Sequence, residues 1–103
     1  MRTIIDLHES KDFDALLPYV SDEEVEKGVW FTHKRFIEVC EAIEKEIGRI
    51  VSLEHIDILK RKSSLLTLWK TTYNKSKDEV LWQVTFDANN HKVLLMHINW
   101  EQL

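Results

Sequence analysis

Residues 79–87 alternate without interruption, with Val80, Trp82, Val84 and Phe86 on one side and Leu81, Gln83, Thr85 and Asp87 on the other. Successive side chains of an extended chain point to opposite faces, so a period of two held this long specifies a half-buried β-strand. Residues 49–59, 64–73 and 92–100 also read as strands, rich in Leu, Ile, Thr and aromatics, and only short polar stretches separate them. Connections this short join antiparallel neighbours, so the second half is expected to form a four-stranded meander.

The last hairpin constrains the sheet further. Asn89-Asn90 suits a two-residue turn, because Asn tolerates positive φ. If Ala88 pairs with His91 across it, Phe86 faces Val93. Unbroken pairing then sets Trp82 opposite His97 and leaves Met96, Ile98 and Trp100 on the wrong side. One extra residue near Leu94-Leu95 restores the faces, bringing Met96 beside Trp82 and Ile98 beside Val80. A β-bulge is expected there, and it also curls the sheet around a helix.

That helix is expected over residues 29–47, where Phe36, Val39, Cys40, Ile43 and Ile47 recur at helical spacing and Gly48 suits a left-handed C-terminal cap. Upstream, residues 1–9 carry Ile4, Ile5, Leu7 and His8 at spacings that suit a short helix, or else an edge strand. Ser10 offers an N-cap for a helix over 11–17 that stops at Pro18. Ser21-Asp22-Glu23-Glu24 matches a capping box, and Gly28 interrupts the helix that starts there.

With 44% apolar and 31% charged residues, the 103-residue chain is too apolar to stay disordered and long enough for one domain, 1–103. A net charge of −4 gives no electrostatic reason to bind nucleic acid or an anionic membrane. The basic turn Lys60-Arg61-Lys62 reads as solvated. Cys40 is the sole cysteine, which excludes an internal disulfide, and on the apolar stripe it reads as a small hydrophobe. The five histidines form neither an i, i+4 helical pair nor an H-x-H on one strand, so metal is expected at none, and no cofactor is implied. No apolar run approaches the roughly 20 residues of a membrane span. Without a signal-peptide core the chain reads as cytoplasmic as written, and as secreted or periplasmic if a leader was trimmed.

Helices followed by a curled antiparallel meander is the order of the NTF2-like (cystatin-like, SnoaL-like) cone fold, and specific stretches carry the resemblance. Asp12-Phe13-Asp14-Ala15-Leu16-Leu17 resembles the segment that ends the first helical unit in that superfamily. Residues 43–52 look like the helix-to-strand passage of its small DUF3887-like members. Trp82-Gln83-Val84-Thr85-Phe86-Asp87 with Val93, Met96 and Ile98 is similar to their closing hairpin. The resemblance implies an α+β fold with N-terminal helices on a four-stranded antiparallel sheet, a pocket, and dimerisation through the sheet. It implies no reaction: the chain is shorter than the superfamily's enzymes and lacks a recognisable version of their Asp–His or Tyr–Asp pairs.

Two sets of residues are the candidate sites. Trp30, Phe31 and Phe36 on the helix, with Trp82 and Met96 on the sheet, are expected either to pack as core or to line an apolar pocket for a small ligand. Trp69, Thr71 and Tyr73 alternate along strand two and are expected to join Leu81, Gln83 and Thr85 in a dimer face, with Leu66 and Leu68 turned to the core. The alternative is that a helix or tail of the same chain covers that face. For catalysis, His55 and Asp57 are expected to share one face of strand one, and His97 and Asn99 one face of strand four, pointing away from Trp82. The leading expectation is a non-catalytic ligand-binding or protein-interaction module forming a homodimer. The alternatives are a small enzyme using Asp57 or a histidine, and an immunity- or inhibitor-like protein whose acidic charge fits a basic partner.

Overall fold

A computed structural model describes residues 2–100. Met1, the first residue of the expected first helix, lies outside them. The element order is α1 (Arg2–Glu9), α2 (Phe13–Leu16), a 3-10 turn (Leu17–Tyr19), α3 (Asp22–Lys27), α4 (His33–Glu46), then β1 (Ile50–Lys60), β2 (Ser64–Tyr73), β3 (Val80–Asp87) and β4 (Val93–Asn99). The strands form one antiparallel sheet in the order β1-β2-β3-β4, an open meander preceded by all the helices. The fold is α+β, as the strand pattern requires.

Local chemistry moves several helix boundaries. Lys11 adopts a positive φ of 62°, so α2 starts later than expected; its cap is Asp12, which accepts from the Ala15 N–H at 3.0 Å. Ser10 instead closes α1, donating to Leu7 O. Ser21 stands at the start of α3 but makes no side-chain cap bond, its own N–H donates to Val93 O at 2.9 Å, and Glu24 is engaged elsewhere. Its Oε1 accepts from Trp30 Nε1 at 3.1 Å and its Oε2 from Lys27 Nζ at 3.3 Å. Gly28 ends α3 in left-handed geometry, and Thr32 opens α4 by accepting from the Arg35 N–H at 3.1 Å. The helix expected from residue 29 therefore begins at His33. At its far end Gly48 takes φ 90°, and a Cβ there would sit 1.9 Å from Asn74 Oδ1. That oxygen caps the Arg49 N–H at 3.0 Å, so a side chain is excluded by both conformation and space.

The sheet has an inner face, turned to the helices, and an outer face. The Leu94 bulge is present: Phe86 pairs with Val93 and Thr85 with Leu95, leaving Leu94 unmatched. It turns Met96 and Ile98 inward as expected. Their partners are each one pair further along, however, with Met96 opposite Val84 and Ile98 opposite Trp82. The preceding loop is longer than two residues. The Asp87 carboxylate captures the N–H groups of Asn89 and Asn90, and it is His91 that takes the positive φ, at 59°.

Strand β2 is turned over relative to expectation. Trp69 pairs with Trp82, Thr71 with Val80 and Thr67 with Val84, so Trp69, Thr71 and Tyr73 face inward and are buried. They do not share a face with Leu81, Gln83 and Thr85, and the six-residue dimer face does not form. The reason is local satisfaction. Thr67 Oγ1 donates to Val84 O at 2.8 Å and Thr71 Oγ1 to Val80 O at 2.9 Å, so two hydroxyls that look like surface chemistry are fully buried at little cost. Trp69 Nε1 donates to Thr67 Oγ1, and Trp82 Nε1 to Tyr73 OH at 2.8 Å. No buried side-chain N or O among the described residues lacks a partner. Leu66 and Leu68, expected to face the core, pair with Thr85 and Gln83 on the outer face, where Leu66 is nonetheless buried.

A single apolar core results. It joins Ile4 and Ile5 of α1 with Leu16, Val20 and Phe31, with Phe36, Cys40 and Ile43 of α4, and with the inner-face residues of β2 to β4. Helix α1 is inserted more deeply than its length suggests, since its His8 ring lies against both Phe36 and Trp82, with centroids 5.0 and 4.9 Å away.

Candidate apolar cleft

Where α4 and its preceding loop approach β4, the core opens into a cleft of about 350 Å³. Trp30, Phe36, Trp82 and Met96, the residues expected to line a pocket, are together in its wall. Each is placed by a separate local cause. Glu24 holds the Trp30 indole, the α4 stripe presents Phe36, the unbroken alternation of β3 presents Trp82, and the Leu94 bulge turns Met96 inward. Phe31, Val39, Leu95, Ile98 and Trp100 complete the apolar part. Trp100 Nε1 donates to Glu46 Oε2 at 2.6 Å, which ties the sheet to the end of α4.

Three polar side chains, His8, Arg35 and the edge-strand His97, also join this wall. His8 lines the cleft and is almost wholly buried; desolvation lowers its pKa to about 4, so the imidazole is neutral at physiological pH. Its Nδ1 lies 3.9 Å from Cys40 Sγ. Burial pushes the Cys40 thiol up to about 11, outweighing the opposing pull of Lys11. A neutral imidazole beside a neutral thiol is not the ion pair that activates a cysteine, so Cys40 is an inert core residue. The helical spacing of Ile4, Ile5 and His8 is the signal that His8 turns inward. Arg35, in the first turn of α4, is the one formally charged side chain among the described lining residues, and none of them pairs with it.

The remaining candidates scatter. His55 and Asp57 do not share a face, because a bulge at Ile56 shifts the register between them. His55 pairs with Trp69 on the inner face, its ring 4.8 Å from that indole, whereas Asp57 pairs with Leu68 on the outer face. His97 and Asn99 do share the outer side, opposite Gln83 and Leu81, as expected. The outer face carries Leu59, Leu66, Leu68, Leu81 and Leu95, of which Leu59, Leu81 and Leu95 are 37–40% exposed. No helix among the described residues is long and apolar enough to cross a membrane. Comparison with models of known families, with curated proteins and with solved structures finds no match for this chain.

Proposed function

We propose that this chain is a non-catalytic ligand-binding or protein-interaction module built on NTF2-like lines, with the cleft beside α4 as its binding site. The observation that carries this reading is the convergence of Trp30, Phe36, Trp82 and Met96 on one apolar hollow with Arg35 among its lining residues. Its volume lies at the small end of the roughly 300–1,000 Å³ of ligand sites. The lining supports binding rather than proton transfer. His8 is held neutral against two aromatic rings, and Asp57, the carboxylate considered for an enzyme, stands on the outer face. The preferred occupant is apolar with a negative end.

The test is titration with 1-anilinonaphthalene-8-sulfonate, an apolar probe with one anionic group. Saturable 1:1 binding is expected, and Val39→Trp, which fills the cleft, should weaken it at least about tenfold, the equivalent of one lost apolar side-chain contact. Unchanged binding by a folded Val39→Trp variant would place the site elsewhere.

A second element of the reading is a homodimer through the sheet. The leucines of the outer face support it, since an apolar sheet surface of this kind is costly to leave in water.

A further inference from the structure

The two edges of the sheet are built differently. Along β1 the edge is interrupted twice, by bulges at Val51 and Ile56, and it carries Glu54, Asp57 and Lys60. These are the devices that keep a sheet edge from pairing with another chain. Along β4 the sequence Val-Leu-Leu-Met-His-Ile-Asn holds no formal charge and no proline, and beyond Leu94 its pairing is regular. Its outward backbone groups are open. Among the described residues the one backbone bond on that side is from Ser21 N–H to Val93 O at 2.9 Å, where Val20 and Val93 form a short parallel bridge. The chain thus already seats two extended residues on this edge and then leaves it.

The open stretch, residues 94–99, spans about 20 Å at the rise of an extended chain. It borders the apolar cleft directly, for Leu95, Met96, His97 and Ile98 line that cleft while α4 supplies the opposite wall. Val20 and Ser21 bound one end of the groove, and the bond from Trp100 to Glu46 bounds the other. An unpaired strand edge facing a helix across an apolar groove is the geometry in which peptides are captured by strand addition: main-chain bonds supply affinity, and alternate side chains enter the groove.

Resting on the reading of the cleft as a binding site, we propose that its occupant is an extended peptide of about five residues. The peptide adds to β4 as a fifth strand, continuing the pairing that Val20 begins. Alternate apolar side chains enter the cleft, and a carboxylate of the peptide meets the unpaired Arg35. A second copy of this chain fits less well. Its own β4 arrives with Val93 in its own core and Met96 and Ile98 already packed against that core.

The experiment uses the full chain and an acetylated pentapeptide alternating valine and phenylalanine with a free C-terminal carboxylate. Hydrogen exchange at the amides of residues 94–99 should slow on binding, while β1 is unaffected. Methylating alternate peptide amides should weaken binding about tenfold, since each lost main-chain bond is worth a several-fold factor. Arg35→Gln should weaken the carboxylate peptide about fivefold and leave its C-terminal amide unchanged. Equal binding of the methylated peptide overturns strand addition. Slowed exchange that appears without peptide as protein concentration rises assigns the edge to a second copy and likewise overturns it. Binding of 1-anilinonaphthalene-8-sulfonate with no binding of the peptide overturns this inference and leaves the cleft itself standing; failure of both overturns the cleft as well.

Discussion

In the unfolded chain the imidazole of His8 takes up a proton near pH 6.5, and in the folded chain only near pH 4, because burial penalises the cation. Between those values the unfolded state binds more protons, so stability falls as the pH drops through that window and is complete above it. From pH 7 to pH 5 this one group should cost about 2 kcal/mol. Urea unfolding of the native chain and of His8→Gln at both pH values checks this: the native chain should lose that much more than the variant, and equal losses would show that His8 is not the group responsible. The same residue shows where reading from residues alone stops. Its position on the inward side of α1 was legible from the spacing of Ile4 and Ile5, but its contact with Trp82 joins residues 74 positions apart, which no local pattern reports. Thr71 misleads for the opposite reason. A hydroxyl looks like surface chemistry until the carbonyl of Val80 across the strand pair accepts its hydrogen bond.

Strands β3 and β4 were legible because their sequences leave one solution. Once Phe86 and Val93 are paired, only an inserted residue returns Met96 and Ile98 to the inner face, and the structure inserts Leu94. Strand β2 was not legible on the same grounds. Leucines fall on both of its faces, so the period of two fixes no direction, and the choice is made by Trp69 and Tyr73 finding buried partners. The Ile56 bulge, which separates His55 from Asp57, has no turn residue to announce it, and its one sign is the switch of inward apolar positions from Leu53 to Ile58 in a strand of mixed alternation. The role of Leu94 gives a sharp expectation for the whole hairpin. Deleting it leaves a regular ladder in which Val84 still meets Met96 and Trp82 still meets Ile98, so both apolar side chains stay inward without the bulge. Unfolding of the deletion variant should therefore stay cooperative. Leu94→Ala, which keeps the register, should cost no more than about 2 kcal/mol for a half-buried leucine. Comparing the denaturation curves decides it, and a deletion that no longer unfolds cooperatively would show that the paired faces alone do not hold the hairpin.

At the scale of the molecule, the helices cover the inner face and leave the outer face bare. The outer-face leucines are the surface on which the proposed dimer rests, and of them Leu95 also lines the cleft. Leu81→Glu, at a position already 37% exposed, should shift sedimentation from dimer to monomer with little change in the unfolding midpoint. A native chain that sediments as a monomer at every concentration would withdraw the dimer while leaving the cleft intact. The most direct measurement for the cleft uses the four tryptophans. Each indole N–H has its own acceptor (Glu24 for Trp30, Thr67 for Trp69, Tyr73 for Trp82 and Glu46 for Trp100), so each should give a separate NMR signal. On titration with 1-anilinonaphthalene-8-sulfonate, the signals of Trp30, Trp82 and Trp100 should move together and saturate, while that of Trp69, outside the cleft beside His55, stays in place. Movement of Trp69 alone, or of none of the four, would contradict the assignment of the cleft as the binding site.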